Sequence, residues 1–332
     1  MPDLWTHMLC GHEVLKHIEE GSFKKIIENE IKLFNLGTQG GDIFFYYKFW
    51  PWIGNMDGTD YAHFVHTKRT GELFINGLDY LKYKIDNEND FNKIFSYLAG
   101  FMCHFAMDTS AHPYIFYFSG IYDSKKPETK KFIGWHKKLE VIIDTILLEE
   151  KKGMKTFRNP AHKEIYIGKS VPQSIKDFFT NVMDKLYGGK VNGDFINIAY
   201  KDMIHGLKIM HDTTGIKTSI VRAYEFLTRS NKKYSDAIYQ KVGDLSIDYL
   251  NKNHNEWLHP CDNREIHRES FYDLYERAVE HGETMVKTAI EYLNGKCDMD
   301  TLKEMFPSVS YYTGKPVDDN CSMMYFKLIS ER

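Results

Sequence analysis

The stretch AGFMCHFAMDTSAHPYIFY, residues 99–117, places His104, Asp108 and His112 at intervals of four within an otherwise apolar segment. The apolar surroundings predict a buried helix, and residues four apart on a helix share one face. The His104 imidazole and the Asp108 carboxylate should therefore lie side by side. Burying such groups is unfavourable unless something binds them. The segment thus predicts either a metal site or core histidines satisfied by hydrogen bonds.

Pro113 follows His112 directly, and the residue before a proline disfavours helical backbone. The sequence therefore predicts that this helix ends near His112. In that case the chain turns away, and His112 reaches a different metal ion from the one next to His104.

A second helical pair occurs in WHKKLE, residues 135–140, where His136 and Glu140 are again four apart. Imidazole nitrogens and carboxylate oxygens are ligands that suit zinc. Three further candidates lie in the same half of the chain: Asp42 in the glycine loop GTQGGD, His66 in YAHFVHTKRTG, and His7 in LWTHML. A lone histidine or one ion pair is usually structural. Two helical pairs with three more candidates favour a metal site.

Most of the chain shows apolar residues at helical spacing, and strand-like alternation is rare. Helix punctuation agrees, because NLGTQGGD supplies terminating glycines and SVPQSIKDFF carries Pro172 at an early helical position. We predict an all-α protein with roughly nine to twelve helices. The aromatic run FFYYKFWPW, residues 44–52, fits core or lid packing, or else the lining of a substrate cleft.

The chain has 332 residues, of which 42% are hydrophobic and 15% aromatic, enough for a large core. Its 43 basic and 46 acidic residues give a formal net charge of -3. Overall charge therefore favours neither nucleic acid nor an anionic membrane, although a local basic patch is compatible with it. We predict one helical domain over residues 1–332. Its metal-binding core spans about 1–150 and a C-terminal helical extension about 160–332, with a lysine-rich seam between them.

Five cysteines, at positions 10, 103, 261, 297 and 321, are scattered and show no CxxC spacing. This pattern predicts reduced thiols rather than a disulfide framework. The amino terminus has no charged leader followed by an apolar run, and no apolar stretch reaches the ~18 residues of a membrane span. Together these features predict a cytoplasmic protein without a transmembrane segment.

Three motifs follow a histidine near the amino terminus, in the order LGTQGGDIFFYY, YLAGFMCHFAMDTSAHPY and WHKKLEVIID. Their order resembles the zinc-dependent phospholipase C family, and in particular its uncharacterised bacterial branch. The later segment YLNKNHNEWLHPCDNREIHRESFYDLYERAV is similar to a tail common in that branch. The resemblance implies an all-α multi-helix bundle, shared with the fungal single-strand-specific nucleases (the P1 nuclease type), with additional C-terminal helices.

The resemblance also implies up to three zinc ions. Asp42, His66, His104 and Asp108 would hold one; His112, His136 and Glu140 a second; His7, Asp108 and the amino terminus a third. Asp108 would then bridge two ions. The paired metals would lower the pKa of a shared water so that a bridging hydroxide forms. Asp42 would act as the catalytic general base.

Two departures from the family pattern leave alternatives open. Exported relatives begin with a tryptophan whose amine and carbonyl chelate zinc, whereas this chain begins Met1-Pro2. If the initiator methionine is removed, the Pro2 amine would become the possible N-terminal ligand; if Met1 stays, its amine would take that place or the third zinc would bind weakly. The span from Asp42 to the next histidine is also longer than in the exported enzymes. His63, about one helical turn before His66, is therefore an alternative metal ligand.

These observations favour a zinc-dependent phosphoric-ester hydrolase, a phospholipase C-like phosphodiesterase acting on a phosphodiester small molecule or a phospholipid. A nuclease or nucleotidase on the same trinuclear site is the first alternative. The weakly acidic overall charge argues against it, because binding of nucleic acid needs a basic track. A channel lined by the lysines of residues 125–138 would favour the nuclease again. The second alternative is a non-catalytic protein with structural zinc. Structural sites are closed by four protein ligands, whereas catalytic sites keep one position open.

Overall fold

The computed structural model describes residues 3–50, 53, 57–189, 191–229, 234–244, 246–319 and 321–331. Over these residues the chain forms thirteen α-helices and one two-stranded sheet. The helices are α1 Leu4–His17, α2 Ser22–Asn29, α3 Ile31–Gly37, α4 Asp57–Thr67, α5 Thr70–Lys84, α6 Glu88–Ser119, α7 Trp135–Lys152, α8 Gln173–Phe178, α9 Asp184–Leu186, α10 Gly193–Met210, α11 Ile216–Leu227, α12 Phe271–Leu293 and α13 Met299–Met305. The all-α prediction is confirmed, and short helices such as α3 and α9 bring the number above the predicted range.

Helix α6 is the central element of the fold. It has 32 residues, which corresponds to a length of about 48 Å. Asn87 caps its start by accepting a hydrogen bond from the backbone N–H of Asp90, and nearly every residue from Ile94 to Ser119 is buried. A helix that is apolar on all sides needs neighbours on all sides. Helices α1, α3, α7 and α12 pack around it.

The prediction that α6 ends near His112 is wrong, because the helix continues through Pro113 for another turn and a half. A proline inside a helix removes the hydrogen bond to the carbonyl four residues earlier, here that of Thr109. Gly314 lies so close to this carbonyl oxygen that a Cβ at residue 314 would be 2.6 Å from it. A turn from the far end of the chain thus covers the position at which the proline interrupts the helical bonding.

Helix α12 is the longest element of the C-terminal half and packs along α6 and α1. Ser270 and Asp273 form a capping box at its start, in which the side-chain oxygen of each residue accepts a hydrogen bond from the backbone N–H of the other. Its buried face carries small and aliphatic residues such as Ala278 and Val286. One continuous cluster of buried apolar side chains extends from Leu4 to Ile329 and so includes residues from both halves of the chain.

The only strands among the described residues are β1 Trp257–His259 and β2 Asp262–His267, an antiparallel hairpin in the histidine-rich segment. Cys261, between the strands, forms a disulfide bond with Cys321. The prediction of reduced thiols is therefore wrong for this pair, whereas Cys10, Cys103 and Cys297 are free. The two partners are 60 residues apart and no motif connects them. Disulfides are typical of oxidising compartments, so the thiol argument for a cytoplasmic location does not hold, and that location stays a prediction.

Helices α10 and α11 are each held at their start by a polar side chain. Asn192 caps α10, and the carboxylate of Asp212 accepts hydrogen bonds from the backbone N–H groups of Gly215 and Thr218 at the start of α11. Helix α11 contacts the short 3-10 helix Tyr234–Ala237. A search of the described helices finds none with the length and apolar character that crossing a membrane requires.

Candidate metal centre

One group of candidate ligands consists of Asp42, His66, His104 and Asp108. Each residue offers a nitrogen or oxygen atom, and these four atoms all lie within 4.8 Å of one another. Nε2 of His104 is 3.1 Å from Oδ2 of Asp108, and Nε2 of His66 is 3.2 Å from Oδ1 of Asp42. His66, His104 and Asp108 are fully buried, while the Asp42 side chain keeps 14% of its surface exposed. The group is therefore open to solvent only on its Asp42 side.

The glycine loop before Asp42 fits closely around two of these histidines. Gly40 has a φ of +44°, and a Cβ at this residue would lie 2.0 Å from Cδ2 of His104. A Cβ at Gly41 would lie 2.6 Å from Cε1 of His66. Real side chains do not tolerate such contacts, so the loop needs both glycines to reach the two imidazoles. Both glycines and Asp42 lie in the first turn of the 3-10 helix Gly40–Tyr46, which directs Asp42 towards the imidazoles.

A second group consists of His112, His136 and Glu140, whose ligand atoms also lie within 4.8 Å of one another. His112 comes from α6, eight residues after His104, and the other two from α7, where Nε2 of His136 is 2.8 Å from Oε1 of Glu140. The prediction that His112 serves a different group from His104 agrees with this arrangement. The separation comes from the rise of a continuous helix rather than from a turn at the proline.

Asp108 lies between the two groups. Its Oδ2 faces His104, whereas its Oδ1 is 3.6 Å from Nδ1 of His112 and 3.3 Å from Nε2 of His7. His7 is fully buried on α1, with its ring centroid 4.3 Å from that of His104. The described residues thus bring His7 and Asp108 together. Pro2, the third member expected at this position, lies outside the described residues.

The start of α1, which carries His7, is held by Asp144 of α7. The Asp144 carboxylate accepts hydrogen bonds from the backbone N–H groups of Trp5 and Thr6, each at 2.8 Å, and from the hydroxyl of Tyr239 at 2.6 Å. Burial, with Asp3 nearby, raises the pKa of Asp144 to about 7, so its main contribution is as hydrogen-bond acceptor for N–H groups that the first turn of α1 leaves without helical partners. Asp144 is one turn after Glu140, so a single helix both supplies a candidate ligand and fixes the helix that supplies His7.

Several buried polar atoms at the centre have no hydrogen-bond partner of regular geometry among the described residues. They are Nδ1 and Nε2 of His7, Nε2 of His104, both carboxylate oxygens of Asp108, and Nε2 of His112. Leaving such groups buried and unpaired is strongly unfavourable. Divalent cations would satisfy them, and the mixture of imidazole nitrogen and carboxylate oxygen is the donor set that zinc takes. The residues therefore fit zinc.

The charge states of these side chains point in the same direction. Burial alone would raise the pKa of Asp108, but His112, His104 and His7 outweigh it and hold this pKa well below its usual range. Burial lowers the pKa of His112 and of His136 well below their usual range. Both shifts favour loss of a proton, and metal ligands bind in their deprotonated forms.

Backbone carbonyls orient three of the imidazoles. Nδ1 of His66 lies 2.6 Å from the carbonyl oxygen of Ala62, Nδ1 of His104 lies 3.2 Å from that of Thr38, and Nδ1 of His112 lies 2.8 Å from that of Tyr311. When Nδ1–H donates to these oxygens, the unprotonated Nε2 faces the centre. Such contacts fix the tautomer and the ring direction of metal-binding histidines.

A cleft of about 710 Å³ opens next to the two groups. Asp42, His136 and Glu140 lie on its wall, beside Lys137, whose ammonium is 2.8 Å from Oδ1 of Asp3. Nine of the other lining residues are aliphatic, methionine or phenylalanine: Leu4, Phe45, Phe49, Phe116, Ile121, Phe132, Met203, Met210 and Met323. The candidate metal centre therefore faces a large, mainly apolar cleft.

A family model described as zinc dependent phospholipase C matches residues 6–193, more than half of the chain. The chain belongs to the zinc-dependent phospholipase C family. All eight candidate ligands of the described residues, from His7 to Glu140, lie inside the matched range. No curated protein and no solved structure matches the chain.

Some residues around the centre lie outside the range that matches the zinc-dependent phospholipase C family. Tyr312 lies outside the matched range, yet its ring stacks on His66 with centroids 5.4 Å apart. The Tyr312 hydroxyl is 2.5 Å from Nδ1 of His63. The structure thus brings His66 into the first group and leaves the alternative ligand His63 outside it, at an exposed position against Tyr312.

Sequence reasoning missed the roles of Tyr311, Tyr312, Asp144 and Lys137. No signal connects the two tyrosines to the centre, because they lie about 200 residues after His112 in the chain. Asp144 had a signal: it follows Glu140 by four residues on one helix, so its carboxylate shares a face with a candidate ligand. Lys137 is adjacent to His136, and only the fold shows that it pairs with Asp3.

Proposed function

We propose that this protein is a zinc-dependent phosphodiesterase of phospholipase C type that hydrolyses a phospholipid or a similar phosphodiester with an apolar group. One observation carries the proposal: candidate ligands for a polynuclear zinc site lie on the wall of a large apolar cleft. The polar wall suits a phosphoryl group, and the apolar wall suits hydrocarbon. A site with both features binds an amphiphile in one orientation.

The proposed ligands are His7, Asp42, His66, His104, Asp108, His112, His136 and Glu140. Bound zinc supplies Lewis-acid chemistry, in which it acidifies water and neutralises phosphoryl oxygens. Asp108 positions both ligand groups, because each of its oxygens faces a different one. Asp42 is the one partly exposed carboxylate of its group, so it takes the proton of the attacking water as general base.

The binding of a phosphodiester in the cleft is helped by Lys137. Burial alone would lower the pKa of this ammonium, but the carboxylate of Asp3 raises it. Lys137 therefore keeps its charge next to Glu140, from which its Nζ is 3.7 Å distant. Asp3 and Glu140 offset much of this charge, so Lys137 serves as a hydrogen-bond donor to a phosphoryl oxygen on the ligand side of the cleft.

The nuclease alternative lacks the lysine channel that would favour it. Within residues 125–138, all of which are described, Lys137 is the one lysine on the cleft wall. Lys131 instead pairs with Glu331. The structural-zinc alternative also fits less well, because a closed structural site would not leave Asp42 and His136 partly exposed on a cleft.

The test measures zinc content and hydrolysis together. Purified protein and the variant His104→Ala are assayed against a phospholipid in detergent, a water-soluble chromogenic phosphodiester and single-stranded DNA. His17→Ala is the matched control, because His17 is an exposed histidine that pairs with Glu283 away from the centre. We expect zinc and phospholipid hydrolysis in the wild type and in His17→Ala, and loss of both in His104→Ala.

Other outcomes would replace the proposal. Wild-type protein that takes up no zinc would overturn the metal centre itself. Zinc at full occupancy with no hydrolysis of any substrate would support structural zinc, and hydrolysis of DNA alone would support a nuclease. The variant Met210→Gln then tests the apolar wall: it should raise the KM for phospholipid and leave the soluble phosphodiester unchanged.

A further inference from the structure

Helix α11 exposes its large apolar side chains instead of burying them. The exposed fractions are 62% for Ile216, 64% for Ile220, 58% for Tyr224, 82% for Phe226 and 79% for Leu227. A surface helix normally turns its apolar stripe to the core and its polar residues to solvent. Here no described part of the protein covers these side chains, although the helix lies on the body of the molecule.

The two faces of α11 are reversed with respect to that rule. At about 100° per residue, Ile216, Ile220 and Leu227 fall on one narrow stripe. The buried residues Thr218 and Glu225 lie on the opposite face. Glu225 accepts hydrogen bonds from the backbone N–H and the hydroxyl of Ser235, so the inner face is polar and satisfied. Core packing therefore does not explain the apolar residues of the outer stripe.

The charges around the stripe have one sign. Between residues 208 and 229, every exposed lysine, arginine, aspartate or glutamate is a cation: Lys208, Lys217, Arg222 and Arg229. The two acids of the segment, Asp212 and Glu225, are buried and hydrogen-bonded. This local excess contrasts with the formal net charge of -3 for the whole chain. An apolar stripe bordered by cations complements a partner that is apolar inside and anionic at its surface.

The stripe also continues into the rim of the cleft. Ile209 is 59% exposed, and its neighbour Met210 lines the cleft. Tyr234, which is 40% exposed, lines the cleft from the element that Glu225 contacts. A flat partner that lies on α11 would therefore reach the mouth of the cleft.

We propose that α11 docks on the surface of an anionic lipid bilayer, with Ile216, Ile220, Tyr224, Phe226 and Leu227 inserted among the lipids and the flanking cations at the head groups. The use of this contact to deliver substrate rests on the proposed function. The binding itself does not, and it is measured without hydrolysis. Combined apolar and electrostatic contacts of this kind bind helices in the plane of a membrane.

The experiment measures sedimentation of the protein with vesicles of phosphatidylcholine alone and of phosphatidylcholine mixed with phosphatidylserine. We expect wild-type protein to prefer the anionic vesicles and the double variant Ile220→Ser/Leu227→Ser to lose binding by about ten-fold or more. The variant Lys217→Gln/Arg222→Gln should lose about five-fold per cation on anionic vesicles only. Binding of the wild type should also weaken as salt is added.

Controls separate this proposal from others. Tyr83→Ser removes a tyrosine that is 64% exposed on α5, and it should bind like the wild type, in contrast to Tyr224→Ser. Hydrolysis of the soluble phosphodiester should be unchanged in all these variants. If neither the wild type nor any variant hydrolyses the soluble phosphodiester while vesicle binding is intact, the result counts against the proposed function alone.

Three results would overturn the docking proposal. The first is wild-type protein that binds neither vesicle, and the second is stripe variants that bind as well as the wild type. The third is a wild-type dimer in light scattering that the stripe variants convert to monomer, which would assign α11 to a second copy of the chain.

Discussion

The metal centre and the outer face of α11 break the usual rule of burial in opposite ways. At the centre, both carboxylate oxygens of Asp108 and the Nε2 atoms of His7, His104 and His112 are buried without regular hydrogen-bond partners among the described residues. On α11, side chains such as Phe226 and Leu227 are exposed, and no apolar neighbour in the described part of the chain covers them. Each arrangement is unfavourable in the isolated chain. Each therefore points to a partner of definite chemistry, a cation in one case and a lipid surface in the other.

The two regions also differ in how the chain holds them. The candidate ligands of the centre come from α1, α4, α6, α7 and the 3-10 helix Gly40–Tyr46, all within the matched range, and the turn at residues 308–317 bonds the backbone of His66. Helix α11 lies outside that range and contacts little beyond the short helix Tyr234–Ala237. Changes at the centre should consequently affect metal, stability and activity together, whereas changes at α11 should affect association alone.

The largest effect is expected from Asp108→Asn. The substitution keeps the shape of the side chain but removes the charge that both ligand groups share. We expect loss of zinc and a fall in kcat/KM of more than about 100-fold, beyond what supporting residues of metal sites contribute. Metal analysis and the soluble phosphodiester assay measure both quantities. Asp60→Asn, at an exposed position on α4, is the control, and equal zinc content in the two variants would refute the bridging role.

Gly40→Ala should have the next largest effect. The new Cβ would meet His104 and would also require a left-handed backbone at φ +44°. We expect a loss of about 1–3 kcal/mol in unfolding free energy, together with reduced zinc content. Gly153→Ala separates the two causes, because Gly153 has a φ of +65° with open space around it. If both variants lose stability equally and both keep zinc, then the contact with His104 is unimportant.

Tyr312 offers a graded test of the C-terminal contribution. Tyr312→Phe keeps the ring that stacks on His66 and loses only the hydroxyl next to His63. Tyr312→Ala removes the ring as well. We expect a decrease in activity of about 10-fold for alanine and a much smaller change for phenylalanine. Identical losses in the two variants would instead assign the effect to the hydroxyl.

The smallest effect is expected at the start of α11. Asp212→Ala removes the acceptor for Gly215 and Thr218, and loss of such a cap is unfavourable by about 1 kcal/mol. Limited proteolysis should then cut this segment faster, and vesicle binding should weaken, while zinc content stays the same. Asp300→Ala, an exposed acid on α13, is the control. A drop in zinc content would contradict the separation of the two regions.

The same cap predicts a dependence on pH. Burial alone would raise the pKa of Asp212, but hydrogen bonds from Thr218 and Gly215 lower it from the usual 3.8 to about 2. A lowered pKa in the folded state means that the cap stabilises fully above about pH 4 and is lost as the pH falls towards 2. Vesicle binding by α11 should therefore be insensitive to this group at neutral pH.

The local spacing of residues was enough to predict the helical fold and the pairs of candidate ligands. Intervals of four placed His104 beside Asp108 and His136 beside Glu140, since both pairs lie on unbroken helices. The choice between His63 and His66 could not be made in this way. Both lie on α4, and only packing against the glycine loop determines which imidazole enters the group.

The errors have a shared physical origin in contacts between distant parts of the chain. Pro113 does not end α6, because neighbouring elements bury the helix on both sides of the proline. Cys261 and Cys321 are joined because the hairpin meets the C-terminal segment, where backbone N–H groups of Met324 and Tyr325 donate to the carbonyl of Pro260. Local propensity contains no information about such encounters.

The carbonyl oxygen of Tyr311, which accepts from His112, has a consequence for modularity. The segment that carries the family motifs ends at residue 193, but the acceptor that orients one of its histidines comes more than a hundred residues later. A fragment ending at that boundary would keep every candidate ligand and lose the backbone carbonyl that orients His112. The segment that matches the family and the segment that assembles the candidate centre are thus different units, and we expect only the longer one to bind zinc when expressed alone.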